Sequence, residues 1–523
     1  MKAVLFVAEN LYGPRFWVPF FTKLKAETGV KVYCLAPSFA HVNDYSKHDV
    51  VDGIFAIDDV LASYGDFEAE FDDEAADLAR EFEQRYSANL IDVIQGDRHL
   101  GRGMYYLGHH HPKSRNSRLA TFGRSIRYIH RLSERLDEFC IEHDIGTFIT
   151  SGVGADFTKI MCIIARTRGI DIRVLFSARL GQHFTWYHNE FFAHPALAQH
   201  FEKMRSAGIV ANEYDGATRQ NQANAKVRDK SIRHKRLGVA IEQSIKAVIN
   251  EVRYLLVHNI KYRDKPKFNR YLLLDRIRHL FLIPRQWKDL NRRVTPLDKL
   301  KNHRYVFYAL QVEPETSTTV HAPEFNNQIA IIDLISKSLP ADVLFVIKEH
   351  IPGVGRRPSD FYEWLSQIPN VRLAPPAGDG ATMARGAAAV IVLTGSLGVE
   401  AASDGVPVVA FGRHNAYNVI SHVHLVENLF SVRALLQELL GADRKDREHV
   451  RAQNRNEGQL FLQALREASF DIGDDVLYHG DPTIPVRAET AEGLVSLFID
   501  YSSHLTANSD TQSKKGTMAA VRP

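Results

Sequence analysis

RYVFYALQVEPETST, residues 304–318, changes character halfway along its length. Tyr305 to Leu310 is an apolar run of the kind that a strand buried on both faces requires. The next residues are Gln311, two carboxylates (Glu313 and Glu315) either side of Pro314, and three hydroxyls. A core strand that runs into such residues predicts a parallel sheet whose strand ends carry a site.

Two further strands end in the same way. ADVLFVIKEH, residues 341–350, closes on Lys348, Glu349 and His350 before the Pro/Gly loop IPGVGRRP, and AAVIVLTGS, residues 388–396, closes on Thr394, Gly395 and Ser396. Helical patterns (NNQIAIIDLISKSLP, PSDFYEWLSQIP, ATMARGA, LGVEAASDG) alternate with these strands and with NVRLAPP and VPVVAFG. Strand–helix alternation predicts a doubly wound parallel sheet. The N-terminal half has the same rhythm: KAVLFVAE (2–9), VKVYCLAP (30–37), IGTFIT running into SGVGADF (151–157), and IDIRVLF. The expected fold is α/β, with two doubly wound Rossmann-like domains over 1–200 and 301–480, and the expected site is the cleft between them.

Between these halves lies a basic region. Residues 201–300 hold 23 Lys+Arg and 10 Asp+Glu, a balance of 23 − 10 = +13, so the rest of the chain carries 3 − 13 = −10. GVAIEQSIKAVINEVRYLLVHNIKYRDK and FNRYLLLDRIRHLFLIPRQWKDLNRR repeat apolar residues at three and four positions, which predicts a helical insertion. Its ordinary reading puts the apolar face on the protein core and a basic face in water; the alternative lays it on anionic lipid or acidic polymer. No uncharged apolar run approaches a membrane span, and MKAVLFVAENLYGPRFW reads as a first strand and not as a signal peptide. Three widely spaced cysteines without a CxxC pair suit a reducing compartment.

Each polar strand end has a use. The 394–396 turn opens a helix, so backbone N–H groups and hydroxyls suit a phosphate, with Ser396 as a plain N-cap the simpler alternative. Glu400, in the first turn of that helix, suits the dipole with or without a ribose to bind. Lys348 and His350 would share one side of a strand end and suit a nucleotide phosphate whose charge grows as a glycosyl bond breaks. Glu313 and Glu315 are a proton acceptor or hydroxyl ligand, or acids that merely start a turn. In the first half, QGDRHLGRG (95–103) and SGVGADF offer Asp97 and Asp156 as candidate bases, and SARLGQ places Arg179 after a strand. His109 to His111 read as a loop, and FDDEAADLAREFEQR as a solvated acidic helix.

Together FYALQVEPETST, FVIKEHIPGVGRRPSDFYEWLSQIPNVRLAPP and VIVLTGSLGVEAASDGVPVVAFG resemble the capsule polysaccharide biosynthesis proteins, a bacterial family related to the Kdo transferases, over about 300–415. The family's His-Pro pair, which contacts the nucleotide in related transferases, is interrupted here as His350-Ile351-Pro352. The resemblance implies a metal-independent GT-B glycosyltransferase with an acceptor domain first, a donor domain second and a returning helix at 481–505 (ETAEGLVSLFIDYSSHL lies within it); the polar composition of 506–523 predicts a disordered tail. It further implies a nucleotide-sugar co-substrate, CMP- or UDP-linked, with no other cofactor. Gln311, Lys348, His350, Thr394, Gly395, Ser396 and Glu400 would hold the nucleotide sugar, and Glu313, Glu315, His350, Asp97 or Asp156 would act in catalysis. The acceptor would be a surface polysaccharide or lipid-linked glycan at the inner face of the plasma membrane, with no nucleic-acid partner. A polyol-phosphate transferase, a sugar-nucleotide epimerase or a non-catalytic polysaccharide-binding protein remains open on the same architecture.

Overall fold

The computed structural model describes residues 2–8, 12–100, 109–211, 231–300, 302–441, 444–477 and 484–512, apart from 262–269. The first sheet contains β1 (Ala3–Val7), β2 (Val32–Ala36), β3 (Gly53–Ala56), β4 (Ile145–Thr150), β5 (Asp171–Ser177) and β6 (His183–Tyr187). The second contains β7 (Tyr305–Ala309), β8 (Leu344–Lys348), β9 (Val371–Ala374), β10 (Ala389–Val392), β11 (Val408–Ala410) and β12 (Val423–Leu425), and the two-residue β13 (Phe470–Asp471) returns to the first.

Strand order is β3-β2-β1-β4-β5 in the parallel part of the first sheet and β9-β8-β7-β10-β11-β12 in the second, which is parallel throughout. Both orders reverse beside the first strand, so each sheet has a switch point where loops from neighbouring strands diverge and leave a crevice. The apolar runs follow from burial on both faces. Leu5 and Val7 of β1 join one cluster while Val4 and Phe6 join another, and Phe307 and Val306 of β7 divide in the same way. A period of two therefore yields no polar position until the strand ends.

Three boundaries differ from the sequence reading. The helix Pro195–Ser206 spans the expected border at 200, because Pro195 opens it behind the His194 side-chain cap. Its Leu197, Phe201 and Met204 pack with Phe461 in a cluster of the second lobe. The chain re-enters the first sheet at Phe470, earlier than 481, through the antiparallel pairing of β13 with β6. The helix Ala488–Gln512 then buries Leu494, Val495 and Phe498 against the first lobe, and Trp186 Nε1 donates to Leu494 O at 2.9 Å. That helix runs beyond 505, and residues 513–523 of the expected tail lie outside the described residues.

The insertion folds as two helices packed on each other, Leu237–Lys261 and Leu273–Arg293. The second sits on the donor-side lobe: Gln286 Nε2 donates to Arg357 O at 2.5 Å and its Oε1 accepts from Gly355 N at 2.8 Å. The first does not follow the ordinary reading. Ala240 and Ala247 are buried, whereas Ile241, Ile245, Val248, Ile249, Val252, Leu255 and Leu256 are exposed. The small side chains of this helix are thus its buried ones, and the large ones face outward.

Candidate active site

A cavity of about 610 Å³ opens between the lobes at the carboxyl ends of β4, β5, β7, β8 and β10. Gly152 to Ala155 and Arg179 form its first-lobe wall, while Gln311, Glu315, His350 and Thr394 to Ser396 form the other. The lobes touch around it. Arg179 Nη1 donates to Thr394 O at 2.5 Å, Gln95 Nε2 donates to Pro323 O at 3.0 Å, and a Cβ on Gly154 would stand 2.7 Å from Thr316 Oγ1. Arg179 is held at positive φ (60°) in the turn after β5, which aims its side chain across the cleft.

The two glutamates of the opening stretch separate. Glu313 is 2% exposed and turns into the donor-side lobe, where its carboxylate pairs with Arg357 and accepts from Gln328 N at 3.3 Å. His109 Nε2 lies 3.4 Å away. The Arg357 guanidinium is already engaged by Glu349 through two bonds of 2.8 Å, and Tyr362 Oη donates to Glu349 at 2.8 Å. One guanidinium cannot discharge two buried carboxylates. Burial raises the Glu313 pKa to about 7 against the pull of Arg357, whereas Arg357 more than offsets the burial of Glu349 and holds it below the usual range.

Glu315 faces the cleft instead. Burial raises its pKa, and the charges of Arg356, Arg98 and Arg179 oppose that rise; Arg179 shares the cavity wall with it. His350 also opens onto the cavity, while Ile351 is buried in the 3-10 turn Ile351–Gly353, so the interruption of His-Pro turns inward. Desolvation first and Lys348 second depress the His350 pKa to about 4, although the residue is exposed at the cleft. At neutral pH it is an uncharged hydrogen-bonding group.

The 394–396 turn lines the cavity with a different internal wiring from the simple cap. Ser396 makes no capping bond, and its hydroxyl interacts with Glu400, whose pKa burial raises to about 7. Thr394 Oγ1 donates to Ser317 O at 3.2 Å, and Tyr417 Oη donates to Gly395 O at 3.0 Å. A Cβ on Gly395 would stand 2.8 Å from Gln311 Nε2, so a side chain there would displace the Gln311 amide. Lys348 and Glu400 are not among the residues that line this cavity.

Asp97 and Asp156 meet in a neighbouring cavity of about 240 Å³ on the first lobe, shared with Asp58, His99, Arg115 and Asn116 and separated from the cleft by Ala155 and Phe157, which line both. Asp97 caps the turn after a helix, accepting from His99 N (2.6 Å) and Leu100 N (2.8 Å) on one oxygen and from Asp156 N (3.1 Å) on the other. Burial and then the charge of Asp97 hold Asp156 well above the ordinary carboxyl range. His109 to His111 form an irregular segment whose His110 N donates to Arg356 O at 2.6 Å. Among the described residues no group of three His, Cys, Asp or Glu side chains could hold a metal ion.

Sequence reasoning missed Arg356, Arg357, Glu349 as a structural acid, and His321 in the cavity wall. A signal for Arg357 was available: two acids at adjacent buried strand ends demand a cation, and IPGVGRRP supplies the nearest one.

The residues 214–420 match the family model described as capsule polysaccharide biosynthesis protein. A search of curated proteins found no match. Similar solved structures include a putative UDP-N-acetylglucosamine 2-epimerase from Listeria monocytogenes (11% identity, TM-score 0.25, covering 91% of this chain and 100% of that one). The UDP-GlcNAc 2-epimerase from Neisseria meningitidis bound to UDP-GlcNAc is 12% identical (TM-score 0.26, 89% and 100% covered), and the beta Kdo 2,7 transferase of Thermosulfurimonas dismutans is 12% identical (TM-score 0.27, 59% and 80% covered). These likenesses are too distant to bear on activity. The family match extends from the insertion through all three polar strand ends.

Proposed function

We propose that this protein transfers a glycosyl unit from a nucleotide sugar to a growing surface glycan. The observation that carries the reading is the convergence of Arg179 from one lobe with Gln311, Glu315, His350 and the Thr394–Ser396 turn from the other in a cavity at two facing sheet switch points. In this reading Arg179, with the charges of Arg98, Arg356 and Lys348, neutralises the diphosphate or phosphate charge that develops as the bond from the anomeric carbon to the leaving oxygen breaks. Gln311, neutral His350 and the Thr394–Ser396 turn orient the donor, Glu315 accepts hydrogen bonds from sugar hydroxyls, and Glu400 supports the turn through Ser396.

The acceptor hydroxyl attacks the anomeric carbon from the first lobe. Its proton passes to a carboxylate; Glu315 is the one that lines the cleft, while the Asp97–Asp156 pair stands beyond Ala155 and Phe157. The family match over 214–420 supports the glycan context.

A thermal-shift screen with CMP, UDP, GDP and CDP compounds, followed by product analysis, tests the proposal. A bound nucleotide raises the melting temperature by mass action, and a glycoside product is expected. Absence of nucleotide binding, or an isomerised nucleotide sugar or phosphodiester as product, would overturn it.

A further inference from the structure

We infer that the outward face of the helical insertion is a docking surface for an anionic lipid bilayer. On the 25-residue helix Leu237–Lys261, large aliphatic side chains stand in water along one side: Ile245 at 56% exposure, Ile249 at 59%, Val252 at 52%, Leu256 at 57% and Ile260 at 82%, with Leu237 and Ile241 continuing the row. At 1.5 Å per residue the row from Leu237 to Ile260 is about 35 Å long, and large apolar side chains exposed contiguously in this way mark an interaction surface. The opposite side of the same helix, Ala240 and Ala247, is buried. The apolar row is thus left over after the helix has made its contacts within the fold.

The partner helix supplies charge. Leu274, Arg278, Phe281, Arg285, Lys288 and Arg292 follow one another at four, three, four, three and four residues, so they share one face, and all six are exposed. Arg285, Lys288 and Arg292 form no ion pair among the described residues, and the pairing of Arg278 with Asp275 is long at 3.9 Å. Two apolar groups among four cations match an interface in which acyl chains and anionic headgroups lie side by side.

A second copy of the chain is the competing occupant, and two features disfavour it. The apolar residues on Leu237–Lys261 fill a broad side of the helix (245, 248, 249, 252, 255, 256), wider than the seam a two-stranded coiled coil uses. Pairing two such hairpins would also bring two cationic rows toward each other, which anionic headgroups neutralise instead. No described helix is long and apolar enough to cross a membrane, so the hairpin lies in the interface plane. Placed there, a transferase would meet a lipid-linked acceptor at the surface; that consequence rests on the proposed function, whereas the docking itself does not.

The test is co-sedimentation of the full chain with phosphatidylglycerol–phosphatidylcholine vesicles and with pure phosphatidylcholine vesicles, at low and high salt. Salt-sensitive binding to the anionic vesicles is expected. Ile245→Glu with Leu256→Glu should cut partitioning at least tenfold, and Arg285→Glu with Lys288→Glu should cut it roughly fivefold per cation removed on anionic vesicles. These side chains are exposed, so far-UV circular dichroism and nucleotide binding in the cleft should be unchanged, which separates this proposal from the transferase reading. A chain that stays in the supernatant with anionic vesicles would overturn it. So would a dimer in light scattering that the Ile245→Glu, Leu256→Glu chain no longer forms, with vesicle binding unaltered.

Discussion

Replacing Glu313 by Gln separates the structural acid from the functional one in the stretch 304–318. Glu313 is 2% exposed and shares Arg357 with Glu349, and burial lifts its pKa from 4.5 to about 7. A folded-state value above the unfolded one means that the native state binds the proton more tightly. Its contribution is therefore fully present below about pH 4.5 and is lost as pH rises through 7. The gap of about 2.5 units corresponds to roughly 3 kcal/mol. Glutamine is neutral at every pH and keeps an oxygen for Arg357. Glu313→Gln should lie within about 1 kcal/mol of the parent at pH 5 and become the more stable chain by about 2–3 kcal/mol at pH 8.5. Urea unfolding across that range, with unchanged m, measures the difference. A loss of about 3–5 kcal/mol that does not vary with pH would refute the reasoning, because it would identify Glu313 as an ionised counter-charge of Arg357. Turnover gives the second axis: Glu313→Gln keeps it within a few-fold, while Glu315→Gln loses about 10²-fold or more. The reverse ranking would also sink the assignment.

Glu349→Gln should destabilise by about 3–5 kcal/mol at pH 7 by leaving Arg357 without its bidentate partner; its lowered folded pKa means that this contribution disappears only as pH falls through that value, so urea midpoints of parent and variant should converge in acid and not in base. His350→Ala should raise the KM for a nucleotide sugar about tenfold without changing the pH–rate profile between 6 and 8, since the ring is already neutral there with its pKa near 4; a profile that loses a limb in that window would show a titrating catalytic His. Gly154→Ala should lower nucleotide affinity by pushing Thr316 away across the cleft, and Thr316→Ala in the same chain should restore it, a coupling measurable by isothermal titration as a double-mutant cycle.

The sheets were legible because their strands are continuous apolar runs, and so was the position of the cleft, because three of those runs end in polar residues. Short or edge elements escaped. The two-residue β13 has no pattern of its own, and β6 is recognisable only as the antiparallel mate of β5. The insertion shows a different limit. A period of 3.6 residues locates an apolar stripe but carries no sign for inward or outward. Here Ala240 and Ala247, weak hydrophobes in any periodicity count, made the contact, and the strong ones were left outside.

The polar residues at the strand ends divide their labour. Beyond β7, Gln311 and Glu315 line the cavity while Glu313 between them is buried; beyond β8, His350 lines it while Glu349 beside it is buried. The inward members meet in Arg357, whose Nη2 also donates to Gln311 O at 2.6 Å. One guanidinium thus fastens the backbone of the first loop to side chains of both, fixing the spacing of Glu315 and His350 across the mouth of the cleft. A buried ionic cluster is a poor source of net stability against an apolar replacement, but it permits few alternative geometries. On that reasoning an apolar Arg357→Met, Glu313→Leu, Glu349→Leu core would fold and still bind nucleotide, yet lose turnover, because the two loops would no longer hold a single separation.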